Sequence, residues 1–430
     1  MNNTYTVGTG KVDVTPPLSV PFLGLYPNRL SYFKGVHDKL LARSLYVGTG
    51  SGEALIVSVD LIGISDAILG HGRSFVTQLK QMITEKTGIP AAHILLAATH
   101  AHSTPETINF RPVAELVPEF KPWLETLMER IAAAALSACQ NRFPAKLRIM
   151  RAQVPGLTIN RTGAEWLDDE LILLEFASQD GRKALLVNFT CHPVIMQVQP
   201  MVSADYPGAL TSTLEETIPG AELCLFMQGA CGDINPLKGD TRDFNDVQMT
   251  GATLAENAIS LLKQAPPADN DIPPQVRVVS TNVPFKSAIL PTPDKTAQLE
   301  HEAAALERQV AEGNRATGIT DKLAVLHEAL ARIRQGEDDR SAVLQTVRIG
   351  NAVLFAMPFE PCCQLGRKLK QMAAPLTGIP VGYANGYLGY VNAPDVAGAY
   401  EASCGPWNQV DQQAFELIIK HFSTMPTACG

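Results

Sequence analysis

The sequence lacks the clusters of lysine and arginine that nucleic-acid-binding surfaces require. It carries 35 basic and 43 acidic residues, for a formal net charge of −8, and it offers no electrostatic footprint for a phosphate backbone. No apolar run reaches the roughly 20 residues needed to span a bilayer, and residues 1–7 do not resemble a secretory signal. We therefore expect no nucleic-acid partner, no membrane insertion and a cytoplasmic location.

Cysteine is sparse and scattered. The chain of 430 residues contains eight cysteines, and none forms a Cys-x-x-Cys pair. Without a secretory signal, this distribution is typical of buried free thiols and argues against a disulfide framework.

Strand-like and helix-like segments alternate over residues 1–265. Apolar runs such as residues 54–61 predict buried strands, and amphipathic periodicity at residues 73–87 and 113–139 predicts helices. The sequence therefore predicts an α/β fold with a mixed β-sheet core flanked by helices. Residues 295–335 predict a polar helical hairpin inserted into a single domain that covers residues 1–430.

One apolar run, residues 94–98, is followed closely by two histidines, His100 and His102. Alternate side chains on a strand share a face, so one strand end can aim both rings at one point. Neutral imidazole is the commonest protein ligand for zinc. The pair predicts a metal-assisted hydrolase if further ligands exist elsewhere, and by itself it fits a hydrogen-bonded pair equally well.

Other apolar runs also end abruptly in polar residues. Each of these polar residues taken alone fits a turn, a helix cap or a packing position. Together they form a pattern, because open α/β sheets bind ligands at the carboxyl ends of their strands. The residues concerned are His192, Gly232, Asp233, Glu360, Tyr387 and Tyr390.

These segments, in this order, resemble the N-terminal catalytic domain of the neutral/alkaline non-lysosomal ceramidase family. Residues 99–103, Thr-His-Ala-His-Ser, resemble the family's Thr-His-Thr-His-Ser block. Residues 232–236, Gly-Asp-Ile-Asn-Pro, resemble its Gly-Asp-Val-Ser-Pro block, and residues 387–390, Tyr-Leu-Gly-Tyr, resemble its Tyr-Thr-His-Tyr block. Single motifs are short, but several in the same order along nearly the whole chain are specific.

The resemblance implies a zinc-dependent amide hydrolase with one Zn²⁺ per chain. At the matching positions, the implied zinc ligands are His100, His192, Glu360 and Tyr390. It also implies that His102 and Arg161 are catalytic residues close to the metal.

We assign further roles to the residues around this implied centre. His102 could pass a proton to the departing amine, and Arg161 could hold a carboxylate or an oxyanion. Asn235 is predicted to complete the catalytic set. Gly232, Asp233 and Tyr387 are predicted to bind the substrate.

Asn235 is also where the sequence departs from the family, which has a serine at this position. Asparagine cannot act as a nucleophile, although it can donate hydrogen bonds to a carbonyl or an oxyanion. This departure, the inserted helices and the end of the sequence at Gly430 lead us to expect a small or medium N-acyl or cyclic amide substrate and not ceramide.

Three alternatives remain open at this point. The same metal chemistry would serve an esterase or lactonase, and the missing serine would suit a non-catalytic metal-binding protein. An amidohydrolase-type barrel also opens with a His-x-His motif, but it requires eight strand–helix units. The sequence identifies neither the small-molecule substrate nor whether the chain forms a homo-oligomer.

Overall fold

The computed structural model describes most of the chain. The described residues are 4–22, 31–70, 73–108, 117–197, 199–266, 273–288, 292–314, 319, 322–323, 326–327, 330, 333, 339–394, 401 and 407–425.

The strands are numbered here in chain order. They are β1 Tyr5–Asp13, β2 Pro21–Phe22, β3 Ser31–Tyr32, β4 Gly35–Val36, β5 Leu41–Gly48, β6 Glu53–Val59, β7 Ile94–Ala98, β8 Arg142–Gln153, β9 Thr158–Asn160, β10 Glu170–Ala177, β11 Lys183–Phe189, β12 Met201–Val202, β13 Ala221–Gln228, β14 Ile234–Pro236, β15 Val276–Lys286, β16 Asp339–Ile349, β17 Ala352–Ala356, β18 Glu360–Pro361, β19 Thr377–Val381 and β20 Tyr390–Val391.

The α-helices within the described residues are numbered in the same way. They are α1 Phe75–Thr87, α2 Phe120–Gln140, α3 Asp205–Thr217, α4 Phe244–Gln264, α5 Pro293–Ala311, α6 Cys363–Met372 and α7 Ala414–Thr424.

The larger sheet has eight strands in the order β13-β11-β10-β8-β1-β5-β6-β7. Its inner pairs are antiparallel, whereas both edge pairs, β6–β7 and β11–β13, are parallel. Helices α1 and α3 make the crossover connections at these two edges, as parallel pairing requires. The sheet is therefore mixed, as predicted. Polar residues follow the carboxyl ends of β7, β11 and β13.

A second sheet, β15-β16-β17-β19, packs against the first. Leu45, Ile56 and Leu225 of the first sheet share one apolar cluster with Val347 and Leu354 of the second. Both faces of the inner strands are buried, because helices cover the outer side of each sheet. This burial explains the continuous apolar run at residues 54–61, since a strand covered on both faces has no polar side.

The helices form the two outer layers. Helices α1 and α2 cover one half of the larger sheet, and α3 and α4 cover the other half. Helices α6 and α7 cover the second sheet. The layer order is helices, sheet, sheet, helices, which confirms the predicted α/β class with helices flanking a mixed sheet.

The helical insertion is described in part. Helix α5 ends at Ala311 and is followed by Gly313 in a left-handed conformation, with φ 91°. Leu299 and Ala303 of α5 pack against Leu326 and Leu330 of the following arm, as a hairpin requires. The first part of the predicted helix at residues 113–139 lies outside the described residues, and α2 begins at Phe120.

Six cysteines lie within the described residues, and all six are free thiols. The other two, Cys404 and Cys429, lie outside that part of the chain. Among the described helices, none is long and apolar enough to cross a bilayer.

The larger sheet curls so that the ends of its two edges meet. Gln228, the last residue of β13, donates to the carbonyl of Thr99 at 3.2 Å and to the carbonyl of Cys191 at 2.9 Å. These carbonyls follow β7 and β11, and each lies one residue before a histidine of interest, His100 or His192. One buried amide group therefore ties together the two strand ends that carry these histidines.

We expect Gln228→Met to lower the free energy of unfolding by about 2–5 kcal/mol, because two buried carbonyls lose their donor. The control is Gln371→Met on α6, where the side chain is exposed and the expected change lies within about 0.5 kcal/mol. Chemical denaturation measures both variants. Equal stability of Gln228→Met and the control would contradict the bridging role.

Candidate metal centre and active site

His100 lies in a turn just beyond β7. Strand β7 ends at Ala98, and His100 adopts a positive φ of 69°, which is uncommon for a bulky residue and occurs mostly at functional sites. Its backbone N–H donates to the carbonyl of Leu61 at 2.9 Å. The predicted convergence of His100 and His102 is present, but it arises from this turn and not from alternation along a strand.

The rings of His100 and His192 are oriented in the same way. Nδ1 of His100 donates to the carbonyl of Ile62 at 2.5 Å, and Nδ1 of His192 donates to the carbonyl of Cys231 at 2.5 Å. A carbonyl can only accept, so each Nδ1 carries a proton, and in the neutral ring Nε2 then carries the lone pair. A backbone partner of this kind fixes the tautomer of metal-binding histidines.

The two Nε2 atoms face each other across 3.0 Å. Glu360 adds a carboxylate to this pair, with Oε2 at 3.4 Å from Nε2 of His100 and 3.3 Å from Nε2 of His192. All three side chains are buried. Lone pairs and a carboxylate directed at one point in a buried setting repel one another unless a cation lies between them.

Protonation states suit metal binding. Burial and the nearby charge of Arg161 lower the pKa of His192 to about 4, so this ring is neutral at physiological pH. The hydroxyls of Tyr383 and Tyr387 donate to the carboxylate of Glu360, which favours its ionised form. Neutral imidazole and ionised carboxylate are the forms that bind metal.

The donor atoms fit zinc. Bonds of about 2.0–2.1 Å in a tetrahedral site place neighbouring ligand atoms about 3.3 Å apart, close to the three separations found here. Two nitrogens and one oxygen are ligands that zinc prefers. The chemistry and the spacing of the donors therefore both pass this test.

His102 completes a cluster of three histidines. Its Nε2 lies 3.2 Å from Nε2 of His100, and ligand atoms of His100, His102 and His192 all lie within 4.8 Å of one another. Among the described residues, nothing bonds to the buried Nδ1 of His102, so no carbonyl fixes its tautomer. Burial holds the pKa of His102 well below its usual range.

Two tyrosines hold the Glu360 carboxylate, one on each oxygen. The hydroxyl of Tyr387 donates to Oε1, and that of Tyr383 donates to Oε2 at 3.3 Å. The ring of Tyr383 also stacks on His100, with centroids 3.8 Å apart and an interplanar angle of 20°. Tyr387, predicted to bind substrate, is buried and contacts Glu360, so its substrate role stays a prediction.

Arg161 organises the other side of the site. Its guanidinium donates to Glu401 at 2.5 Å, to the carbonyl of Gly232 at 2.6 Å, to the hydroxyl of Tyr390 at 3.1 Å and to Oδ1 of Asn235 at 3.3 Å. Burial alone would lower the pKa of Arg161, but Tyr390 and Glu401 raise it above its usual value. The guanidinium is therefore a fixed positive charge.

Tyr390 and Glu360 lie side by side on two neighbouring strands. The two residues pair directly in the short parallel ladder β18–β20. Its hydroxyl oxygen accepts from Arg161. Its role as a zinc ligand stays a prediction.

Gly232 and Asp233 shape the loop after β13. A Cβ on Gly232 would lie 2.7 Å from the carbonyl oxygen of Glu360, so the close approach of the two backbones requires glycine. Asp233 accepts from Asn160 at 3.0 Å and from the backbone N–H of Cys363, the first residue of α6, at 2.7 Å. Both contacts are structural, so substrate binding by Asp233 stays a prediction.

Sequence reasoning missed two residues of the site. Tyr383 lies four residues before Tyr387, but nothing in the sequence pattern separates it from its neighbours. Glu401 is 240 positions from Arg161, and only tertiary structure brings the two together.

Comparison with known proteins identifies relatives. The profile of the family described as "Neutral/alkaline non-lysosomal ceramidase, N-terminal" matches residues 5–243. Neutral ceramidase B of Dictyostelium discoideum is 23% identical over 261 residues, which cover 55% of this chain and 36% of that protein. Neutral ceramidase of Drosophila melanogaster is 22% identical over 173 residues, covering 38% of this chain and 23% of that protein. The match spans about a third or less of the length of these relatives.

Two solved structures share the fold. The crystal structure of neutral ceramidase from Pseudomonas aeruginosa superposes with a TM-score of 0.75 at 17% identity, covering 99% of this chain and 74% of that one. A structure described as ceramidase complexed with C2 gives the same TM-score and identity, with 99% and 75% covered. At this identity, the likeness concerns the fold.

These comparisons contradict the expectation of a substrate other than ceramide, because the matching family and the similar proteins are ceramidases. That expectation rested mainly on Asn235 in place of a serine. In the structure, Asn235 contacts Arg161 beside a cluster that fits a metal. Metal-assisted hydrolysis takes its nucleophile from water, so a missing hydroxyl does not exclude any particular amide.

We expect Tyr383→Phe to weaken metal binding about 10–100-fold, the usual cost of losing a group that orients a ligand. The ring that stacks on His100 is retained, so only the hydroxyl is lost, with its contacts to Glu360 and to the thiol of Cys231. Competition with a chelator measures the affinity. The control is Tyr46→Phe, whose hydroxyl bonds to Glu53, and wild-type affinity in both variants would contradict the orienting role.

Proposed function

The chain belongs to the neutral/alkaline non-lysosomal ceramidase family, and on this basis we propose that it is a zinc-dependent hydrolase of the amide bond in ceramide-type N-acyl lipids. The observation that carries the proposal is the convergence of Nε2 of His100, Nε2 of His192 and Oε2 of Glu360 within 3.0–3.4 Å. Family membership supports amide hydrolysis, and the donor set supports zinc.

His100, His192 and Glu360 would hold one zinc ion per chain, and Tyr390 is proposed as a fourth ligand. Zinc in such a site supplies a nucleophile at neutral pH by lowering the pKa of water towards about 7, and it polarises a carbonyl. The protein's own part is to keep the three donors together. Backbone carbonyls fix the two rings, and Tyr383 and Tyr387 fix the carboxylate.

His102 is the proposed acid–base residue. It is half-buried and adjoins His100, so its ring reaches both the metal ligands and the open side of the site. Its Nδ1 is not held by a described carbonyl, unlike the rings of the two ligands. It can accept a proton from the nucleophile and deliver it to the departing amine nitrogen.

Arg161 and Asn235 are proposed to stabilise the negative charge that develops on the carbonyl oxygen. Glu401 and the carbonyl of Gly232 hold the guanidinium in place, so it needs no reorganisation during the reaction. Oδ1 of Asn235 accepts from Arg161, and this orients the amide so that its Nδ2 donor is free to turn towards substrate. Asparagine thereby serves as a donor where the family has a serine.

Metal removal tests the proposal as a whole. We expect a chelator to abolish release of fatty acid from ceramide and zinc to restore it. Circular dichroism and the unfolding transition should show a folded protein throughout, because the apolar clusters between the layers do not depend on the site. Turnover that survives complete metal removal would contradict the proposal, as would zinc-loaded protein that cleaves no N-acyl lipid.

Asn235→Ala should lower kcat/KM about 10²–10³-fold, the usual effect of losing one donor to a developing oxyanion. Asn235→Ser, which keeps a donor, should recover part of the rate. Both variants should bind zinc like the wild type, as measured by chelator competition. Wild-type kcat/KM in Asn235→Ala would show that the amide has no part in the reaction.

A further inference from the structure

Two large apolar side chains are exposed beside the site. Ile159 on β9 is 47% exposed, and Leu237, just after β14, is 60% exposed. Strands β9 and β14 form a separate antiparallel ribbon. Asn235 lies on β14, and Arg161 directly follows β9. Exposed apolar side chains grouped at a functional site mark a binding surface more often than scattered ones do.

The register of the ribbon places these side chains on one face. Asn235 pairs with Ile159, and the backbone N–H of Leu237 donates to the carbonyl of Leu157 at 2.8 Å, which extends the pairing by one step. Directly opposed residues share a face, and so do residues two apart on a strand. Ile159, Asn235 and Leu237 therefore lie on the same side.

The same face continues into the site. On β9, Ile159 is exposed between two buried neighbours, Thr158 and Asn160. Arg161 and Asn235 form the polar end of this face, and their side chains contact each other at 3.3 Å. Two residues along a strand cover about 7 Å, so the apolar surface begins within about 7 Å of the residues proposed to face the scissile carbonyl.

We propose that Ile159 and Leu237 bind the straight alkyl chain of the substrate as it leaves the reacting amide. The inference rests on the proposed function, because it takes the polar end of the face as the place where the amide lies. The chain belongs to either the acyl part or the amine part of the substrate, and both parts offer the same methylene surface. Continuity with Arg161 and Asn235 favours this occupant over a bilayer or a second copy of the protein.

The test measures binding to the zinc-loaded protein and needs no turnover. Dissociation constants are determined for two homologous series, straight-chain carboxylates from acetate to decanoate and straight-chain amines from ethylamine to decylamine. The variant is Ile159→Ser combined with Leu237→Ser. The control is Met249→Ser on α4, where Met249 is 51% exposed and lies outside the ribbon.

In the wild type and the control, we expect affinity in at least one series to rise by up to about fourfold per methylene, the value for full burial of a CH₂ group. In the double variant, this dependence on chain length should nearly vanish, while binding of the shortest member and the unfolding midpoint stay unchanged. Flattening in the carboxylate series assigns the acyl chain, and flattening in the amine series assigns the amine chain.

Equal slopes in all three proteins, or no dependence on chain length in the wild type, would overturn the inference. The inference would also be overturned if the double variant kept its slopes but no longer bound phosphatidylcholine vesicles, or kept its slopes but no longer self-associated. Failure of the proposed function is a separate result. A zinc-loaded protein that cleaves no ceramide contradicts the proposed function, whereas a double variant with the slope of the wild type contradicts the inference.

Discussion

The site depends on a repulsion that a bound cation relieves. Two imidazole lone pairs and a carboxylate oxygen meet within 3.0–3.4 Å in a buried setting. An isolated buried charge costs several kcal/mol unless it is paired, so this cluster opposes folding when it stands alone. The protein maintains it with directed hydrogen bonds: carbonyls on both Nδ1 atoms and tyrosine hydroxyls on both carboxylate oxygens.

The architecture explains how such a cluster forms. Each parallel edge of the larger sheet delivers one histidine just beyond a strand end, and Gln228 ties the two ends together. The second sheet supplies Glu360 after β17, in the short ladder that also holds Tyr390. Rigid apolar layers lie behind all of these segments. The polar groups can therefore be held in an unfavourable arrangement without loss of the fold.

Sequence patterns predicted the parts of this arrangement that are local. The continuous apolar runs predicted buried strands because both faces of those strands are covered, and abrupt polar residues after the strands predicted which segments come together. The positive φ of His100 was not predictable, because no residue type in the turn demands it. Tyr383 and Glu401 were missed because their roles depend on partners that are distant in sequence. The exclusion of ceramide was wrong because it rested on local departures from the family, chiefly Asn235, which do not outweigh the match to a ceramidase family.

X-ray absorption at the zinc edge of the purified protein tests the central claim most directly. We expect about one zinc per chain, a ligand shell of nitrogen and oxygen at about 2.0–2.2 Å and the scattering of imidazole rings. The thiol of Cys231 lies 3.2 Å from the hydroxyl of Tyr383, so a zinc–sulfur bond is the alternative that the spectrum has to exclude. A zinc–sulfur distance of about 2.3 Å, or a protein that takes up no zinc, would contradict the account.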